Sequence, residues 1–209
     1  MTEQSLNEGQ VRSNPIEQFA LWYEEAQQAH LPEPDAMTLA TATRDGRPSA
    51  RMVLLKGFDE RGFVFYTNYQ SGKGRVIEAN PRAALILFWA ELHRQIRIEG
   101  TVAHVSDAES DAYFRSRPKG SRIAALASNQ SEVLENRDQL DARVAELTQK
   151  YGAGDGVGDD DVPRPAHWGG YRVVPETIEF WQGRRDRLHD RLLFTRRSDG
   201  AWSMTRLFP

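Results

Sequence analysis

The densest run of reactive side chains is Ile178–Arg191, which reads Ile-Glu-Phe-Trp-Gln-Gly-Arg-Arg-Asp-Arg-Leu-His-Asp-Arg. If Arg187–Arg191 is extended, alternation puts Arg187, His189 and Arg191 on one face. Two guanidiniums flanking an imidazole would seat an anionic ligand, because arginine offers phosphate a planar fork of donors. Trp181 would supply a flat wall for a ring. The same residues also read as a solvated cationic strand paired with Asp186 and Asp190, and spacing alone does not choose between the two.

Three other clusters suit phosphate. Arg51-Met52-Val53-Leu54-Leu55-Lys56 sets apolar residues between two basic ends, which must reach solvent or meet an anion. Strict alternation puts Arg51 and Lys56 on opposite faces, which counts against one shared site. Tyr66-Thr67-Asn68 and Ser71-Gly72-Lys73 bring hydroxyls, a lysine and free helix N–H groups to a strand end and a helix start. Tyr113–Arg122 gathers four cations and three hydroxyls at a helix junction. That segment could hold a phosphate ester or be an ordinary surface hinge. His93, His104 and His167 read as structural or exposed. The chain has no G-x-x-x-x-G-K-[ST], no G-x-G-x-x-G and no H-E-x-x-H.

Composition narrows the chemistry. The absence of cysteine excludes disulfides, thiolate metal sites and cysteine nucleophiles, and no metal site is expected from five scattered histidines. A net charge of −3 gives no global field toward nucleic acid or anionic membrane. No apolar run approaches the roughly 20 residues of a membrane helix, so a soluble, cytoplasmic protein is expected.

The elements that must position these residues follow from period and punctuation. Residues 1–13 read as a disordered tail, and 14–209 as a single domain. Asn14-Pro15 starts a helix whose inner face carries Ile16, Phe19, Ala20 and Tyr23. Met37–Arg44, Pro48–Gly57 and Phe63–Thr67 are strand-like, separated by Asp45-Gly46 and Asp59–Gly62 turns. Ser71 caps a short helix that stops before Asn80-Pro81. Ala83–Trp89 is apolar enough for a strand buried on both sides, and Gln95–Val105 alternates with Ile96, Ile98 and Val102 inward. Ser106 and Glu109 form a capping box for the next helix. Ser121–Ser128 is a second short helix, and Leu140, Val144, Leu147 and Tyr151 mark a third. Residues 152–165 read as a flexible acidic loop. Gly170–Val174, Thr177–Gln182, Leu188–Arg196 and Ala201–Leu207 return to strands. Closely spaced strands joined by tight turns predict a mainly β fold with helices, an antiparallel sheet rolled into a barrel.

In this order the clusters resemble the pyridoxamine 5′-phosphate oxidase family, from about Ala36 to the carboxyl terminus. The most specific match is Glu-Phe-Trp-Gln-Gly followed by Arg-Leu-His-Asp-Arg, with Trp168-Gly169-Gly170 upstream and Arg206-Leu207 near the end. The resemblance implies an FMN-binding split β-barrel of Greek-key type. It also implies a homodimer with shared active sites, and oxidation of pyridoxine or pyridoxamine 5′-phosphate to pyridoxal 5′-phosphate. Hydride would pass from substrate C4′ to flavin N5, and dioxygen would become hydrogen peroxide. It assigns Arg51, Met52, Val53, Leu54, Leu55, Lys56, Tyr66, Thr67, Lys73, Gln95, Gln130, Ser131, Trp181 and Arg191 to FMN. Lys56, Tyr113, Arg117 and Ser121 would hold the substrate phosphate. Arg187, Leu188 and His189 would lie at the pyridine ring, with Arg187 and His189 catalytic. Gly72 stands where many relatives have a basic residue. Two alternatives stay open: a related split-barrel flavin oxidase acting on another aromatic, such as a phenazine precursor, or a non-catalytic carrier of FMN or pyridoxal phosphate.

Overall fold

The computed structural model describes residues 5–152 and 162–209. In chain order the elements are α1 (Pro15–Gln28), β1 (Ala36–Ala42), β2 (Pro48–Leu54), β3 (Gly57–Asp59), β4 (Gly62–Asn68), α2 (Gly72–Ala79), β5 (Arg82–Trp89) and β6 (Arg94–His104). There follow α3 (Asp107–Ser116), α4 (Lys119–Ala127), α5 (Arg137–Tyr151), β7 (Trp168–Gln182), β8 (Asp190–Arg196) and β9 (Trp202–Arg206), with single 3-10 turns at Ala90–Leu92 and Arg185–Arg187. Among the described residues the strands form one sheet in the order β2-β1-β5-β6-β7-β4-β3, with β8 on β7 and β9 on β8. The described registers of β1–β2, β1–β5, β3–β4, β5–β6, β7–β8 and β8–β9 are all antiparallel. No helix among the described residues is long and apolar enough to cross a membrane.

The chain, expected as one domain from residue 14, groups into two compact units. One comprises the described residues up to Phe65 with Asn80–Ala103 and Arg172–Pro209; the other comprises Tyr66–Ala79 and the described residues of 104–171.

In the first unit, α1 begins as its sequence predicts. The Asn14 side chain accepts from Ile16 N at 2.9 Å, and Pro15 occupies the first turn, where a missing N–H goes unnoticed. Its fully buried Phe19 meets Phe58 and Phe63 edge-on, each with ring centroids 4.8 Å away. Burying such a ring contributes on the order of 2 kcal/mol. Leu85, Leu87, Ile96, Ile98, Ile178 and Phe180 complete the core behind the sheet. β5 departs from expectation. Its burial alternates, and Phe88 is 59% exposed, so only one face of this strand is covered within the chain. Met52 and Leu54 on β2 are also exposed. The expected Pro48–Gly57 strand breaks after Leu54, and the two strands expected over 170–182 are one continuous β7.

In the second unit, α3 carries the anticipated capping box, Ser106 with Glu109. Phe114, Ile123, Val162 and Trp168 form its buried cluster, packed by Val144, Leu147 and Tyr151. Of the expected acidic loop 152–165, residues 153–161 lie outside the described residues; Val162 is buried. Of the expected tail, residues 1–4 lie outside the described residues. From Ser5 onward it carries a turn, and Leu6 is only 5% exposed.

Candidate functional site

Within the second unit, Tyr66, Tyr113 and Trp168 stack in one column. Tyr66 and Tyr113 centroids are 3.9 Å apart at 18°, and Tyr66 lies 5.5 Å from Trp168 at 11°. The glycines of Trp168-Gly169-Gly170 permit this close approach. A Cβ on Gly170 would sit 2.7 Å from Tyr66 Cε1, and one on Gly169 only 2.1 Å from the Tyr69 hydroxyl. Arg164 holds the entry to β7, donating to the Trp168 carbonyl at 2.7 Å and pairing with Asp107 and Asp111.

Against this column lies the α3–α4 junction. The Arg117 guanidinium sits 4.7 Å over the Trp168 ring, and its buried Nη1 has no hydrogen-bond partner. Burial pushes its pKa down from the usual arginine value; Tyr113 opposes that shift and Arg122 adds to it. Arg122 is fully buried and Lys119 is 6% exposed, both in the first turn of α4, where half-buried Ser121 also lies. Concentrating cations at a helix N-terminus runs against the helix dipole, so the junction favours an anion.

Also in this unit, Thr67 Oγ1 and Lys73 Nζ converge on Gln130 Oε1, at 3.1 and 3.0 Å. Lys73 additionally reaches Ser71 Oγ at 3.2 Å, and buried Ser71 accepts from Gly74 N at the start of α2. A hydroxyl, an ammonium and an amide gathered at a helix start match the donor set a phosphate monoester needs. Ser131 adopts φ 75°, with its Oγ 3.7 Å from where a Gly72 Cβ would sit. Tyr66, grouped with these residues by resemblance, instead stacks on Tyr113, with its hydroxyl near the Glu109 carbonyl at 3.4 Å.

In the first unit, Arg51 and Lys56 keep separate company. Arg51 donates to Thr41 Oγ1 at 2.8 Å, whereas Lys56 follows the end of β2 and pairs with Asp35 at 2.8 Å. Along the strand between them, Met52 and Leu54 are exposed, Val53 is half-buried and Leu55 is buried. Gln95 and Trp181 are half-buried on β6 and β7, and Trp181 stands opposite Arg191 on β8. Arg191 Nε donates to Glu179 Oε1 at 2.7 Å, which raises its pKa further. Arg97 Nη2 lies 2.8 Å from the other Glu179 oxygen, an ion pair outside hydrogen-bond geometry. Glu179 is 3% exposed and organises both arginines. Nothing in its spacing announced this, since the strand pairing that creates the contact is non-local.

The segment after β7 corrects the expected extended strand over Arg187–Arg191. Asp186 and Arg187 both adopt left-handed backbone, at φ 54° and 61°, and β8 begins only at Asp190. Arg187, Leu188 and His189 therefore project from a tight loop, not from one strand face. Arg187 and Leu188 are exposed, while His189 lies 4.6 Å from the Trp181 ring at 44°. Arg184 N donates to His189 Nδ1 at 3.1 Å.

An antiparallel split-barrel sheet, with cationic seats beside stacked aromatics, defines the class. Residues 23–151 match the family model for pyridoxamine 5′-phosphate oxidase, and residues 168–209 match that for the pyridoxine 5′-phosphate oxidase C-terminal dimerisation region. The chain belongs to the pyridoxamine 5′-phosphate oxidase family.

Its similarity to curated relatives spans their length. It is 56% identical over 208 residues to the pyridoxine/pyridoxamine 5′-phosphate oxidase of Trichormus variabilis, covering 100% of this chain and 94% of that one. It is 58% identical over 208 residues to that of Rubrobacter xylanophilus, covering 100% and 93%. Among solved structures, PhzG from Burkholderia lata 383, in complex with tetrahydrophenazine-1-carboxylic acid, superposes with a TM-score of 0.90 at 34% identity over 100% of both chains. A pyridoxamine 5′-phosphate oxidase-related, FMN binding protein from Nostoc punctiforme shares the fold, with a TM-score of 0.73 at 16% identity over 95% of this chain and 100% of that one.

Proposed function

We propose that the protein is an FMN-dependent oxidase that converts pyridoxine 5′-phosphate or pyridoxamine 5′-phosphate to pyridoxal 5′-phosphate and acts as a homodimer in the cytoplasm. The observation that carries the substrate assignment is Arg117, whose buried Nη1 has no hydrogen-bond partner. A buried guanidinium N–H left without a partner is costly, and a phosphate oxygen is the acceptor that best relieves it. Tyr113 and Ser121 add hydroxyl donors at the same helix junction.

The donor set of Thr67, Lys73 and Gln130 fits the phosphate of FMN. Held there, FMN would supply the acceptor for a hydride from substrate C4′ and the means of reoxidation by dioxygen. The protein's own residues bind and orient. Arg187 brings a positive charge to the pyridine ring, and His189 brings a donor whose direction is set by its tilted contact with Trp181 and by the Arg184 N–H on Nδ1. Lys56, paired with Asp35 at 2.8 Å, is assigned to phosphate by the family resemblance alone.

The structural likeness to PhzG favours a second reading, an oxidase of non-phosphorylated aromatics. The Arg117 seat with the Tyr113 and Ser121 hydroxyls favours a phosphate monoester over a carboxylate, because a phosphate offers three acceptor oxygens to these donors and a carboxylate two. Adding pyridoxine 5′-phosphate anaerobically to FMN-loaded protein should bleach the flavin's visible absorption, and air should restore it with hydrogen peroxide formed. Bound flavin that stays oxidised with this substrate and with pyridoxamine 5′-phosphate would overturn the proposal.

A further inference from the structure

Residues 5–8 make contacts that no part of the proposed chemistry uses. The Leu6 N–H donates to Asp190 Oδ2 at 3.1 Å, and its carbonyl accepts from Arg206 Nη2 at 2.8 Å. Arg206 also grips both Glu8 carboxylate oxygens, each at 2.7 Å, and reaches Asp190 Oδ1 at 2.9 Å. The Leu6 side chain is buried, so this segment is docked by both apolar and polar contacts. Asp190 is the hub. Its Oδ2 additionally accepts from Arg184 Nη1 at 3.1 Å, which ties the two ends of the Gly183–His189 loop together.

The same Arg184 turns that clamp into a chemical constraint. Its backbone N–H points at His189 Nδ1, which makes that nitrogen an acceptor. In the neutral ring the proton then sits on Nε2, because one imidazole nitrogen donates and the other accepts. We infer that Leu6–Glu8 is a positioning strap for His189: through Arg206, Asp190 and Arg184 it holds the imidazole in the tautomer that offers Nε2–H to the substrate. This inference rests on the proposed reading of His189 as a substrate-contacting residue. The ligand atom it implies is an acceptor, the oxygen substituent of the pyridine ring, and His189 serves it as a donor.

The test uses the FMN-loaded full-length protein with isotope-labelled histidine and long-range proton–nitrogen correlation spectra. Wild-type His189 should show the Nε2–H pattern without substrate. Glu8→Ala and Asp190→Ala should mix the tautomers and raise the KM for pyridoxine 5′-phosphate by about tenfold, with kcat changing less. Glu8→Gln, which keeps an acceptor for Arg206, should recover part of the loss. If Asp190→Ala does not fold, Glu8→Ala carries the test, because that side chain is 49% exposed. An Nδ1–H ring in the wild type, or a spectrum and KM untouched by Glu8→Ala, would overturn the strap. Absence of turnover in the wild type would sink the oxidase reading instead; the tautomer spectrum needs no substrate and still decides the strap.

Discussion

Glu179 and Arg191 face one another across β7 and β8, 2.7 Å apart, with the carboxylate 3% exposed and the guanidinium 28% exposed. The pair bridges buried and wet environments, and Arg97 completes it from β6. Removing Glu179 takes the carboxylate from Arg191, while Arg97 keeps Glu99 at 3.4 Å. Glu179→Ala should therefore lower unfolding free energy by about 1–3 kcal/mol, below the full value for a buried pair because both arginines are partly solvated. Denaturant titration checks this, and Glu179→Gln should lose less.

Arg117 predicts an opposite balance between stability and function. Arg117→Met keeps an apolar stem on Trp168 and removes a buried N–H that has no hydrogen-bond partner. Melting temperature should stay level or rise, while the KM for pyridoxine 5′-phosphate climbs about ten- to a hundredfold. A fall in melting temperature with KM unchanged would show that the guanidinium is structural.

Asp186 offers a test of loop strain. A left-handed backbone is unfavourable for any residue with a Cβ, and two such residues adjoin here. Asp186→Gly should raise stability by about 0.5–1 kcal/mol. It should also lower kcat/KM severalfold, since the relaxed loop no longer presents Arg187 in one geometry. Chemical denaturation and steady-state kinetics on the same preparation measure the two effects.

Gly72 leaves space at the start of α2. The nearest atom to an added Cβ is Ser131 Oγ at 3.7 Å, and the backbone there is not left-handed. Gly72→Arg should bring a cation beside Lys73 and tighten FMN about three- to tenfold, read from fluorescence quenching on titration.

Acid should undo the strap by a predictable route. The Arg206 hydrogen bond holds the Glu8 carboxyl down from the ordinary 4.5 to about 2. A depressed carboxylate contributes stability above its unfolded pKa and loses it as pH falls toward the folded value. Leu6 amide exchange, corrected for intrinsic rates, should gain in protection loss between pH 4.5 and about 2, and Glu8→Gln should remove that dependence.

Much of the local structure was legible in the residues. The Asn14-Pro15 start and the Ser106/Glu109 box both form as written, because caps depend on neighbours within one turn. The Arg187–Arg191 strand failed because Asp186 and Arg187 turn left-handed, which non-glycine residues do only when tertiary contacts hold them. β5 looked buried on both faces because Phe88 and Ile86 are apolar, yet composition does not say which face the same chain covers. Glu179 and Glu8 were unreadable for a common reason. Their partners are fixed by strand pairing or by a contact 198 residues away in the chain.

The unit that carries His189 is assembled from three separate stretches, and the last begins at Arg172. During synthesis β6 is complete at His104, yet most of its neighbour β7 follows only after Tyr171. At ribosomal speeds of roughly 5–20 residues per second, the exposed edge of β6 waits several seconds for that strand. Arg206, which closes the strap, is synthesised 198 residues after the Glu8 that it holds. A nascent chain stalled before it would hold a nearly finished sheet with the Gly183–His189 loop unfastened, a natural target for chaperones and proteases.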